Sequence, residues 1–255
     1  MSMAFDTLNV CWRELKRFIR QPARVIMSII QPIIWLSLMG NMFQMVGKLP
    51  GFPTSSYLDY MAPGIVIMTT LFGGVFGGLS VVWDRRFGFL NKMLAAPISR
   101  SSIPVGKMLA STIQSGLQAS IILSVALLMG VRCSTGIPGV IAIILIAMLL
   151  CLALSGLSLA LGAMIKTHET LMVVMNFLTM PLMFTSSALF PLEFMPSWLA
   201  AIAVWNPLTH TLNPIRTLMT EGWNWAMILP DVAAVTAFAL AVISIATLLF
   251  RRSIA

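Results

Sequence analysis

The chain has 255 residues, of which 58% are hydrophobic and only 9% charged, and its mean hydropathy is +0.94. That composition excludes a soluble core and makes the bilayer the solvent of the chain. The net charge of +8 would point to nucleic acid in a soluble protein, but here the basic residues sit beside apolar spans, facing cytoplasm and anionic lipid, which excludes a nucleic-acid partner.

Residues 1–24 carry Arg13, Lys16, Arg17, Arg20 and Arg24, with Leu8, Trp12, Leu15 and Ile19 recurring three or four apart on the opposite side. The pattern predicts an amphipathic helix lying in the membrane interface, as a surface anchor or as part of a gate. It lacks the apolar run and cleavage site of a signal peptide, so no processing is expected.

Six apolar runs follow, each near the ~20 helical residues that cross a hydrocarbon core of about 30 Å. They cover residues 25–46, 61–82, 108–130, 140–165, 170–190 and 229–250. Placing both termini inside assigns 13 of the 16 basic residues to the cytoplasm and leaves Lys48, Arg132 and Arg216 outside, which fixes the expected orientation. Pro32 and Pro181 should bend the first and fifth spans. Gly73, Gly74, Gly77 and Gly78 form two overlapping small-xxx-small pairs in the second, for close contact within the chain or between copies. Ser111, Gln114, Ser115 and Gln118 fall on one face of the third and must turn inward, to bond neighbouring helices or to line a substrate path; Asn176 in the fifth poses the same choice.

Between the second and third spans, residues 83–107 hold Arg85, Arg86, Lys92, Arg100 and Lys107 against one acid, Asp84. Residues 85–94 are free of proline, and Phe87, Leu90 and Leu94 recur at helical spacing, predicting a short amphipathic helix across the cytoplasmic face. A solvated basic loop would account for the charges but not for those apolar residues. Pro97 and Pro104 should prevent a continuous helix in the second half of the loop. On the outer side, residues 191–228 contain four of the seven tryptophans, Trp198, Trp205, Trp223 and Trp225. Two half-span helices, 194–204 and 208–219, separated by Asn206-Pro207, should either dip back into the membrane or lie flat on it.

No ionisable side chain lies near the middle of a span, which disfavours coupling to an ion gradient and suggests apolar, amphipathic or neutral cargo. Gly47-Lys48 and Gly106-Lys107 lack the spacing of a phosphate-binding loop. His168-Glu169 begins like a zinc-protease helix, but Met172 stands where the second histidine belongs and His210 lies across the membrane, so no metal site is expected. Cys11, Cys133 and Cys151 fall inside, outside and within a span, and build no disulfide framework.

The loop F-G-F-L-N-K-M-L-A-A-P-I-S-R-x5-G-K and the outer segment L-F-P-L-E-F-M-P-S-W-L-A-x5-N-P-L-T-x4-P-I-R together resemble the ABC-2 type transporter permeases, including those of daunorubicin-resistance and nodulation-factor exporters. The resemblance spans nearly the whole chain. It implies one transmembrane domain over 1–255: an all-α integral membrane protein of six transmembrane helices, an amino-terminal interfacial helix, a cytoplasmic coupling helix and outer re-entrant helices. It implies a coupling helix at Arg85, Arg86, Phe87, Leu90, Lys92 and Leu94 that docks on a separate ATP-binding subunit, which holds the ATP and magnesium. The outer motif is represented by Pro191, Glu193, Pro196, Trp198, Asn206, Pro207 and Arg216. The family usually carries glutamate early in the loop, where this chain has only Asp84. By the same resemblance two permeases and two ATPases form an exporter in the cell inner membrane, with neither catalysis nor a cofactor in this chain. A flippase for lipid-linked polysaccharide shares this architecture, and a non-transporting scaffold recruiting a partner through the basic loop is the alternative of another class.

Overall fold

A computed structural model describes residues 3–45, 47, 54, 56–165, 167–188 and 191–253, with the side chains of residues 193, 251 and 253 outside the description. Glu193 of the outer motif, Lys48 and Lys166 therefore lie outside the described side chains. Ten α-helices are described: α1 Met3–Ile19, α2 Pro22–Met42, α3 Tyr57–Arg86, α4 Phe89–Ala95, α5 Ser102–Leu128, α6 Gly136–Met164, α7 His168–Phe184, α8 Ser197–Ala203, α9 Pro207–Thr220 and α10 Trp225–Ser253. No strand occurs among the described residues.

Five of these helices, α2, α3, α5, α6 and α10, are long and apolar enough to cross a membrane. Where the sequence places a fifth crossing, α7 covers 17 residues, about 26 Å at 1.5 Å per residue. The long helices overrun their apolar cores. Helix α3 starts at Tyr57, where the Ser56 hydroxyl accepts from the Leu58 amide, and continues to Arg86. Helix α5 begins at Ser102 and carries Pro104 in its first turn, where the missing N–H has no intrahelical partner to lose. Pro104 therefore lies in the first turn of a restarting helix and Pro97 in the break between α4 and α5, so that no continuous helix runs through the second half of the loop, as expected.

Helix α3 is the hub and packs against α5, α6, α2, α7 and α9. Its glycine face seats on α6: a Cβ at Gly74 would lie 2.8 Å from the Leu154 Cβ, and one at Gly78 would collide with the Ser158 backbone. The paired glycines thus serve a contact within the chain. The core that results joins Met61, Ile65, Leu71 and Val75 of α3 to Leu150 and Leu154 of α6, and to Leu212 and Ile215 of α9.

Candidate functional site

Two features of the end of the bundle carrying α1 and α4 stand out. The first is the turn between α3 and α4. Gly88 sits at φ 69°, a left-handed conformation that glycine adopts without a Cβ penalty, and it divides the continuous helix expected over 85–94 into the end of α3 and a seven-residue α4. Phe87 and Leu90 consequently do not share a face. Phe87 is 69% exposed and stacks on Trp83 at 5.6 Å. Leu90 is 3% exposed and joins Met93, Ile103, Met108, Leu159 and Phe250 in a small core, with Leu94 packed partly against it. Arg85 donates to the carbonyls of Ala163 (3.0 Å) and Ile165 (3.3 Å), filling acceptors that the end of α6 leaves open. The Arg86 guanidinium lies 5.8 Å from the Trp83 ring centre, and Lys92 is exposed.

The second feature was not legible as a site. Lys107, read as a loop cation, is 1% exposed. Its Nζ donates to Glu14 Oε1 (2.7 Å), Asp84 Oδ2 (2.6 Å) and Ser80 Oγ (3.0 Å). Arg13 donates to Asp84 Oδ2 (2.8 Å) and also bonds Glu14, while Arg17 reaches Asp84 Oδ1 at 3.4 Å. Three cations and two carboxylates thereby tie α1, α3 and α5 together. Burial opposes the charge on Glu14, but Lys107 and Arg13 outweigh it and hold the carboxyl below the usual range. Burial likewise opposes the charge on Arg13, and Glu14 with Asp84 overcome it and push the guanidinium up.

Helix α1 accordingly turns its polar side inward. Asp6, Thr7, Val10, Cys11 and Glu14 are buried, whereas Leu8, Trp12 and Ile19 are exposed, as an interfacial helix requires. Close approach is permitted by Gly106, where a Cβ would meet Val10 Cβ at 2.7 Å and the Thr7 carbonyl at 2.8 Å. Asp6 accepts from the Ser99 amide at 3.2 Å. Glu14 could have been found from the sequence: it repeats at 3–4-residue spacing with Thr7, Val10 and Cys11, a second stripe beside the basic one.

A cavity of about 320 Å³ opens beside the ion cluster. Glu14, Arg17, Arg24, Ser80, Lys107 and His168 border it, with Ser111 and Gln114 of the polar stripe. Ionisable side chains thus border a space at this end of the bundle, away from the span middles. The stripe does turn inward: Ser111 and Ser115 face Gly77 and Gly73, and the Gln118 amide donates to Ser28 Oγ at 2.8 Å. Asn176 lies apart from them, exposed on α7.

At the opposite end the outer segment forms a short 3-10 turn Leu192–Phe194, then α8 and α9. Helix α8 has seven residues, so the first of the two expected half-span helices is shorter than predicted; Pro191 and Pro196 are the residues before the turn and before α8. Trp198 and Trp205 are exposed, while α9 buries Leu208, Leu212, Ile215 and Leu218. Asn206 caps α9 by accepting from the Leu208 amide (2.9 Å) and donates to the Leu182 carbonyl (2.7 Å) and Thr185 Oγ1 (2.9 Å). Pro207 fills the first helical position, where its ring costs nothing. Tyr60 Oη donates to the Ser187 carbonyl at 2.7 Å; Arg216 bonds the same carbonyl and stacks 3.9 Å over the Tyr60 ring.

Among the described residues no cluster of three His, Cys, Asp or Glu side chains is placed to hold a metal. Long apolar helices around a glycine-seamed hub, with ions gathered at one end, define a multi-pass helical membrane protein. Residues 7–220 match the ABC-2 type transporter family, and the chain belongs to that family. A putative transport permease, ycf38, of Cyanophora paradoxa is 36% identical over 207 residues, covering 81% of this chain and 71% of that protein. The ycf38 protein of Porphyra purpurea is 35% identical over 208 residues, with the same two shares. The daunorubicin resistance ABC transporter permease protein DrrB1 of Streptomyces coeruleorubidus is 26% identical over 226 residues, 88% of this chain and 79% of that protein. The family read from the two sequence motifs is thereby confirmed, and with it a membrane component of a transporter.

Proposed function

We propose that this chain is the membrane-spanning subunit of an ATP-driven exporter in the cell inner membrane, moving an amphipathic substrate outward with ATP hydrolysed on a separate subunit. Two copies of the chain would assemble with two copies of that ATPase. The six crossings include α7, and both termini lie in the cytoplasm, so α1, α4 and the ion cluster share the cytoplasmic face. Helices α2 and α7 carry exposed apolar side chains along their length, including Ile26, Ile30, Ile34, Phe177 and Met180; these are the faces we assign to the contact between copies. Helices α8 and α9 form the outer re-entrant pair.

One observation carries the reading: α4 is anchored from within by Leu90 and Met93 while Phe87 stands exposed beside it. A short helix fixed to the bundle core, with an aromatic side chain exposed at the turn that enters it, suits the transfer of motion from a cytoplasmic partner. Phe87 gains from burial in a groove, about 1.5–3 kcal/mol if complete, and Lys92 and Arg86 add steering. Leu90 and Leu94 hold the lever rather than touch the partner. The test is co-purification of the ATPase and cargo-stimulated hydrolysis for Phe87→Ser and Phe87→Ser/Lys92→Gln at matched expression. Loss of both is expected, and full retention of both would remove the docking role.

Orientation has its own test. An impermeant thiol reagent on sealed cells should label Cys133 and spare a cysteine placed at Lys16, which is exposed on α1. Native Cys11 cannot serve as the inner reporter, because it is buried, and that burial, with Glu14 beside it, pushes its thiol up. Labelling at position 16 with Cys133 silent reverses the assignment.

A further inference from the structure

The cavity beside the ion cluster has more positive charge than its own acids use. Lys107 is committed to Glu14, Asp84 and Ser80, and Glu14 is covered by Lys107 and Arg13. Arg17 makes one 3.4 Å contact to Asp84 through a single Nη1, although a guanidinium carries five N–H donors. Arg24, on the first turn of α2, has neither an ion pair nor a hydrogen bond from its side chain among the described residues. His168, the first residue of α7 and a wall of the same cavity, has a buried Nδ1 with no hydrogen-bond partner among the described residues. The unused donors of Arg17 and Arg24 and the unpartnered His168 ring nitrogen border one space, and Glu14, the carboxylate among its described lining residues, already has its cations.

Phe18, Phe76 and Trp83 supply an apolar wall to the same space. Its volume, about 320 Å³, is at the small end of ligand sites, roughly 300–1,000 Å³. That suits a headgroup and leaves any longer tail in the surrounding lipid.

We infer that this cavity receives the anionic headgroup, phosphate or carboxylate, of an amphiphile drawn from the cytoplasmic leaflet, with Arg17 and Arg24 clamping the anion. The inference rests on the exporter reading and makes such amphiphiles its substrate class. Guanidinium forks match the paired oxygens of phosphate and carboxylate, which a zwitterionic or neutral headgroup does not offer unopposed. Gln114 and Ser111 stand deeper, where they can bond the polar linkage behind the anion.

The test uses the full-length chain, purified in detergent with its ATPase, and titrates three probes: dihexanoyl phosphatidic acid, dihexanoyl phosphatidylcholine and inorganic phosphate. Wild type should bind the phosphatidic acid at least about tenfold more tightly than either other probe. Arg17→Gln/Arg24→Gln should lose about that factor for phosphatidic acid alone, and with it the stimulation of hydrolysis by that lipid. Arg24→Lys, which keeps the charge and loses the fork, should fall between. Both arginine side chains are exposed, so the single variants preserve the comparison if the double variant misfolds. Equal affinity for the two lipids in wild type, or undiminished phosphatidic acid binding in the folded variants, overturns the inference. Inorganic phosphate binding as tightly as the lipid overturns the amphiphile and leaves a free-anion site. Retention of the ATPase without any lipid preference removes this inference and spares the exporter; a lipid preference without a retained ATPase removes the exporter and the substrate class together.

Discussion

The two ends of the bundle are fastened by different chemistry. Where α1, α3 and α5 meet, Lys107, Glu14 and Asp84 are buried and Arg13 and Arg17 cover them from the water side, so that attraction among the five offsets the desolvation of the inner three. At the end where α9 packs against its neighbours the fastenings are mostly neutral: Asn206 bridging Leu182 and Thr185, Tyr60 of α3 on the Ser187 carbonyl, and Thr135 Oγ1, before α6, on the Leu218 carbonyl at 2.8 Å. The His210 and Asp231 pair, 2.5 Å apart, is half-exposed. An end held by ions fails sharply when one partner is removed; an end held by neutral bonds loses stability in small steps.

The sharpest way to break this contrast is Lys107→Met. Leaving Glu14 and Asp84 buried beside an apolar chain should lower stability by about 3–5 kcal/mol, read as a fall in the unfolding midpoint of purified protein. Adding Glu14→Gln to the same variant should restore part of the loss, because Arg13 and Arg17 then have Asp84 alone to neutralise. A single variant as stable as wild type would mean that the ions are not paired as described. Asn206→Ala, the strongest perturbation at the α9 end, should lose about 2 kcal/mol, from one helix cap and an abandoned Leu182 carbonyl. Tyr60→Phe should lose about 0.5–1.5 kcal/mol by the same measurement, while the ring stays under Arg216. If either of these two variants matched Lys107→Met, the two ends would not differ in kind.

The smallest effect is a dependence on pH. The Glu14 carboxyl is depressed in the folded protein, so its contribution is fully present above the unfolded value of about 4.3 and is lost as pH falls through the lower folded value. Unfolding midpoints should therefore show no change from this group between neutral pH and about pH 5. Below about pH 4 they should fall, and less steeply for Glu14→Gln. Equal slopes for the two proteins in that acid range would remove Glu14 from the ion cluster.

Apolar run length made the five long apolar helices legible, and the Asn206-Pro207 break was legible because its cap chemistry is local. The ion cluster was not legible, since Glu14, Asp84 and Lys107 lie in three separate segments and each alone looks like a solvated charge beside a span. Gly88 hid for another reason. Its φ reverses the face on which Phe87 and Leu90 fall, and periodicity counted across it assumes a helix that the backbone does not continue. The polar stripe on α5 was sound as a face, but the sequence could not show that α3 would meet it with glycines.

The arrangement of α1 also sets an order of events in time. Glu14 is bonded to Lys107, 93 residues later in the chain. At about 5–20 residues per second of synthesis, roughly 5–20 s separate the appearance of the acid from that of its cation. Until Asp84 and then Lys107 arrive, Glu14 has only the neighbouring Arg13 and water as partners. The outward face, with Leu8, Trp12 and Ile19, can meanwhile rest on the membrane surface. Helix α1 is thus fastened to α5 only once Lys107 has been made, and its apolar side can hold it in place until then.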